Sequence, residues 1–138
     1  MAETTIKNIL LEIVTPERIV VSEDVDEVVL PGIEGEFGVL PGHIPFLTAL
    51  KVGELVYKKG DTTEHLAVSW GYVEVTHDSV KVLAETAEKA TEIDLSRAET
   101  ARTEAEKILT AGREDPEYEK AKVTLEKSVI RVQVAGRK

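Results

Sequence analysis

The chain of 138 residues has 42% apolar but only 4% aromatic side chains, which suits one domain, alone or with an appendage, cored by Val, Ile, Leu and Ala. With no cysteine, a disulfide framework and a thiolate metal site are excluded. The net charge of −9 falls on residues 1–85, with 15 acidic and 6 basic side chains against 11 of each in 86–138, and so acidic a first part argues against a nucleic-acid partner.

Met1 to Thr5 lacks the basic and apolar regions of a signal peptide. No apolar run approaches the roughly 20 residues of a membrane span, so direct membrane insertion is not expected. Lys7 to Thr15 alternates, with Ile9, Leu11 and Ile13 on one side, and predicts a strand. Further strands are predicted at Arg18 to Val21, Val25 to Leu30, Phe37 to Leu40, Phe46 to Leu50, Leu55 to Lys58, His65 to Trp70, Tyr72 to Thr76 and Val80 to Ala84. Turn signals divide them, among them Pro31-Gly32, Lys59-Gly60-Asp61 and Gly71. Such spacing predicts an all-β sandwich or barrel of about eight to ten strands.

Within this run, Gly35 to Pro45 holds three glycines and two prolines around a short apolar stretch. It reads as a strand entering a rigid Pro41-Gly42 turn of type II preference, with His43 exposed and Ile44 and Phe46 returning to the core. From the residues alone it is a structural corner or a contact surface.

Near Glu85 the period changes, and residues 1–85 and 86–138 are read as two units. Asp94 to Ala111 lacks Pro and Gly and is rich in helix formers, with Leu95, Ala98, Ala101, Ala105, Ile108 and Leu109 on one stripe. Asp94 is a natural cap and Gly112 a stop. Asp115-Pro116 opens a second helix carrying Tyr118, Ala121, Leu125, Ser128 and Val132, so an antiparallel two-helix hairpin is expected. Val123, Ile130 and Val134 form a second surface on that helix, which needs a second partner.

No catalytic constellation emerges. His43, His65 and His77 lack a further ligand at metal spacing, so no metal site is expected, and no serine occupies a nucleophile elbow. A start such as Ile93-Asp94-Leu95-Ser96-Arg97-Ala98, with Glu88 upstream, reads as an ordinary capped helix or as a phosphate-binding one.

The string G-E-F-G-V-L-P-G-H-I-P at Gly35 to Pro45 closely resembles the G-E-x-G-x-L-P-G-H-x-P signature of epsilon subunits of F-type ATP synthases. Ala67 to Val75 resembles the same family's A/Y-x-S-G-G-x-x-E-V segment, departing at Trp70, where a small residue is usual. The likeness covers essentially the whole chain, and without a transit peptide a bacterial or plastid-encoded member is expected. It implies a non-catalytic central-stalk subunit that binds gamma and rests on the c-ring through Glu36 and His43. Its hairpin would inhibit ATP hydrolysis, reaching the alpha and beta subunits with Lys120, Lys122, Lys127 and Arg131 as candidate contacts to beta. Its place would be peripheral, on the cytoplasmic face of a bacterial inner membrane or the stromal face of a thylakoid. Ile93 to Ala98 resembles the I-D-x-x-R-A pattern of ATP-binding members. The implied site of regulatory ATP is therefore Glu88, Ile93, Asp94, Arg97 and Ala98, with no required cofactor. Glu104 stands where such members carry a further basic residue, which implies weakened binding. Apart from the resemblance, a free-standing β-sandwich adaptor whose hairpin holds a partner protein is the alternative, and a small hydrolase comes third.

Overall fold

The computed structural model describes residues 8–138. Lys7, where the first strand is expected to begin, and Met1 to Thr5, read for a leader, lie outside the described residues. Eight strands come first: β1 (Ile9–Val14), β2 (Ile19–Val25), β3 (Glu27–Gly32), β4 (Gly35–Val39), β5 (Phe46–Leu50), β6 (Gly53–Lys59), β7 (Thr62–Val75) and β8 (Ser79–Lys89). A 3-10 turn at Ala90–Glu92 leads into α1 (Leu95–Ala111) and α2 (Tyr118–Ala135). This is the expected sandwich followed by two helices.

Strand order is β2-β1-β8-β7-β5-β3-β4, with β6 bridging β3 and β7. The alternation of β1 puts Ile9, Leu11 and Ile13 in the core, at most 1% exposed, where they meet Val28, Leu30, Leu55, Val73 and Val82. Burying one such side chain stabilises the fold by about 1.5–3 kcal/mol.

Several boundaries differ from the sequence reading, each for a local reason. Gly71 does not end a strand. β7 runs through it, pairing with β6 over residues 62–68 and with β5 over 71–75, while β8 follows on its other side. The strand therefore passes from one partner to the next by bending, at Trp70 (φ 37°) and Gly71 (φ 141°). A Cβ on Gly71 would lie 1.8 Å from the carbonyl oxygen of Leu83, so no side chain fits. β8 continues to Lys89, past the expected change at Glu85, because its last residues pair with Leu66 to Ser69. β2 extends through Ser22, Glu23 and Asp24, since an edge strand leaves polar side chains in water. β3 retains Pro31 and Gly32, and the turn falls at Ile33-Glu34.

The first helix begins as read: Asp94 Oδ1 accepts the Arg97 amide at 3.2 Å, and Gly112 ends it with φ 105°. The second begins later than read. Asp115 accepts the Glu117 amide on its side chain at 2.8 Å, forming a turn that delays the helix to Tyr118. The two helices pack on each other. Ala98, Val134 and Ala135 then join Ala67, Ala90 and Ile93 in a small second cluster that seats the hairpin on the sandwich.

Gly71→Ala is expected to cost more than about 3 kcal/mol, since neither φ nor the space permits a Cβ; a chemical-denaturation curve measures it. A chain ending after Lys89 should still melt cooperatively, because the main core lies wholly within β1 to β8. Calorimetry that finds no transition would show that the helices complete that core.

Candidate functional site

Two regions gather the residues singled out by the sequence. At the corner, the His43 amide donates to the Leu40 carbonyl at 3.2 Å, and Gly42 takes φ 85°, the geometry of a type II turn. The Gly42 amide also donates to the His77 carbonyl at 2.7 Å, which fixes the corner to the β7–β8 connection. Glu36 is exposed on β4. His43 is half-buried, its Nδ1 2.6 Å from the Ile44 carbonyl and its ring tilted toward Phe46. Donation to that carbonyl assigns the hydrogen to Nδ1. Ile44 and Phe46 do not return to the core as expected. Ile44 is 79% exposed and Phe46 41%, with Ile33 and Leu40 similarly bare. The corner thus presents an apolar knob carrying one acid and one imidazole, a surface suited to contact rather than catalysis.

The second region is a cleft of about 270 Å³ between the hairpin and the sandwich. Glu88, Lys127 and Arg131 line it, with the hydroxyls of Ser69 and Thr86, which hydrogen-bond each other, and with Ala101. Arg131 donates twice to Glu88, from Nε at 2.8 Å and Nη2 at 3.1 Å. Lys127 Nζ lies 4.7 Å above the Trp70 ring centroid and 3.5 Å from Glu85.

Of the expected nucleotide residues, only Glu88 lines this cleft. Ile93 and Ala98 are buried in the small cluster, and Asp94 caps α1. Arg97 is exposed, and its guanidinium makes no hydrogen bond among the described residues. Glu104 lies elsewhere, in a polar groove with Ser96, Thr100 and Lys107. Lys120 is exposed and Lys122 pairs with Glu119 on its own helix at 3.3 Å, whereas Lys127 and Arg131 face the sandwich.

A carboxylate that the sequence reading passed over anchors the end of the hairpin. Glu54 on β6 receives Arg137 at 3.1 and 3.2 Å, Gln133 at 3.2 Å and His65 Nδ1 at 2.9 Å. Burial pushes its carboxyl up, but hydrogen bonds from Arg137, His65 and Gln133 together hold it below its ordinary value. Glu92 is likewise held low by its hydrogen bond from Arg18. Nothing local marks Glu54, whose partners lie on other elements; Glu92 has a local bond from the Lys89 amide at 2.9 Å, but its pairing with Arg18 links distant parts of the chain. Among the described residues no group of His, Asp and Glu forms a metal site.

Residues 8–90 match the family described as "ATP synthase, Delta/Epsilon chain, beta-sandwich domain", and residues 91–136 match its "long alpha-helix domain". A protein of Geotalea daltonii named "ATP synthase epsilon chain" is 55% identical over 128 residues, which span 92% of this chain and 93% of that one. One of the same name from Nitratidesulfovibrio vulgaris is 48% identical, covering 94% and 97%. In three dimensions the fold matches a chain in the cryo-EM structure of the Euglena gracilis mitochondrial ATP synthase (OSCP, F1 and c-ring). The TM-score is 0.81 at 22% identity, over 98% of this chain and 85% of that one.

Two outcomes are expected from this geometry. Glu36→Ala with His43→Ala should shift stability by about 1 kcal/mol or less, because backbone hydrogen bonds hold the corner; thermal melting checks it. Glu54 and Glu92 titrate lower in the folded chain, so the stability they add is full above the ordinary carboxylate value of about 4.3. It is lost as pH falls through their lowered values. Amide exchange across α2 should rise over that interval, and Glu54→Gln should flatten the rise.

Proposed function

The chain belongs to the ATP synthase delta/epsilon family, and on that premise we propose that it is the non-catalytic rotor subunit joining gamma to the c-ring and restraining ATP hydrolysis with its hairpin. The observation that carries this reading is the attachment of two unlike surfaces to one continuous strand, the hairpin near its middle and the corner past its end. The corner is bonded to His77, just past β7, and the hairpin sits on Ala67, roughly 30 Å back along the strand. A rotor subunit needs such a body, which meets the ring at one end while its switch moves at the other.

A third surface suits gamma. Cross-strand register lines up Ala49, Tyr72, Leu83, Val14 and Ile19 in one outward row over β5, β7, β8, β1 and β2. Tyr72, Leu83 and Ile19 are 61%, 48% and 66% exposed, and neighbouring Leu47 69%. An apolar stripe of that width on an otherwise acidic unit favours protein contact. No helix among the described residues is long and apolar enough to cross a membrane. Attachment would therefore run through the c-ring, with the chain peripheral on the cytoplasmic face in a bacterium or the stromal face in a plastid. Family membership favours this over a free-standing adaptor.

Regulation by ATP rests on the cleft and the adjoining helix start. Arg97, whose guanidinium is exposed beside the cleft, would neutralise phosphate, while Asp94 fixes the first turn. At about 270 Å³ the cleft is too small to enclose a whole nucleoside triphosphate, so part of the ligand would lie outside it. ATP would favour the docked hairpin to the extent that it binds that form better. In the extended form, Lys120, Lys122, Lys127 and Arg131 would be available to the beta subunits.

The chain should co-purify with gamma, and replacing Tyr72 and Leu83 by Glu should abolish that. Deleting the residues after Lys89 should raise ATP hydrolysis by the assembled head; unchanged hydrolysis would refute the inhibitory role. Arg97→Ala should weaken ATP binding by about tenfold in calorimetry while leaving the fold intact.

A further inference from the structure

The acids of the sandwich and the cations of α2 meet along one contact line. Lys127 lies between Glu85 and the face of Trp70, which sit on neighbouring strands between the pairs Ser69–Thr86 and Gly71–Ala84. One helical turn on, Arg131 grips Glu88 through two hydrogen bonds. Beyond the helix end, Arg137 grips both oxygens of Glu54, with Gln133 beside it, and Lys138 Nζ reaches the Ile93 carbonyl at 3.0 Å. The apolar part of the same contact is modest, with Ile93 and Val134 buried and Ile130 and Val132 packed beside them. Four of the six buried residues in the docking cluster are alanine, and each brings little area out of water.

We propose that an ionic clasp of Lys127–Glu85, Arg131–Glu88 and Arg137–Glu54, built along Trp70, holds the hairpin to the sandwich, so that ionic strength sets how much of it is docked. The inference deepens the reading of the hairpin as a switch and rests on it. A single exposed ion pair contributes little. Two of these, however, are forked arginine–carboxylate pairs, the stronger kind, and all three are ordered by one helix and its end. Their side chains are partly open to solvent: Arg131 is 29% exposed and Glu88 31%. Dissolved salt therefore screens them, with a Debye length falling from about 10 Å at 0.1 M to about 3 Å at 1 M. Trp70 contributes the platform. Its φ of 37° is unusual for a bulky residue and lies at the bend of β7, where its ring meets Lys127.

Trp70 is also the sole tryptophan, so its emission reports the clasp. In the full chain, raising NaCl from about 0.05 M to about 1 M should increase amide exchange across α2 by about tenfold. Acrylamide quenching of Trp70 should rise in parallel, while amides of β7 and β8 keep their protection. The triple variant Glu54→Gln, Glu85→Gln, Glu88→Gln should exchange rapidly in α2 already at low salt and lose the salt response. Glu88→Arg together with Arg131→Glu should restore the low-salt protection that either change alone removes. A wild-type chain whose α2 exchange ignores salt overturns the clasp, as does a triple variant that stays docked with its sandwich folded. If the triple variant fails to fold, the wild-type salt series and the reversed pair decide. Every readout is on the isolated chain, so a failed clasp is distinct from a failed stalk reading, which co-purification with gamma tests.

Discussion

The structure depends on the ladder between β7 and β8, and that ladder depends on one atom that is missing. Gly71 lets the backbone of β7 come against Leu83 where a Cβ would collide with a carbonyl oxygen. Because the two strands keep one register on either side of the bend, β7 can serve β6 with one half and β5 with the other. The sandwich closes on this exchange of partners. The same continuous strand carries the hairpin's seat near Ala67 and leads to His77, which holds the corner. Functional surfaces far apart in the molecule are thus fixed to one rigid ladder rather than to separate loops.

Charge is arranged with the same economy. The sandwich half carries all of the net negative charge, and the helical half is balanced. An acidic body and a helix with cations along its docking side attract each other without a large apolar seam, and a contact of that kind can be undone without exposing much apolar surface. A hairpin sealed by leucine and phenylalanine would be a poor switch, because opening it would put a broad greasy face into water. Alanine at Ala67, Ala90, Ala98 and Ala135 keeps that cost small while letting backbones approach.

Legibility from the sequence followed the range of the interaction. Alternation in Ile9, Leu11 and Ile13, the Pro41-Gly42 turn, the Asp94 cap and the Gly112 stop are decided within a few residues, and all stand where they were read. Gly71 misled because a glycine that ends a strand and one that bends it look alike until the partner strand is known. Asp115-Pro116 misled because a side chain that can cap a helix can equally close a turn two residues on. In the candidate site, Glu88 was legible through its motif, but its pairing with Arg131 was not. Neither were Glu54 with Arg137, nor Lys127 with Trp70, because no periodicity links residues so far apart.

The parallel pairing of β1 with β8 bears on how the protein is made. Leu10 lies beside Ser79 and Val14 beside Leu83, so the first strand finds one of its two neighbours only in the last. Pairings this distant close large loops and put the unit among slower-folding, high-contact-order topologies. During synthesis from the N-terminus, Ile9, Leu11 and Ile13 lack the β8 side of their core until Val80 and Val82 have emerged. The nascent sandwich therefore spends most of its translation with an apolar strand edge open, and the helices are added only after that edge has been covered.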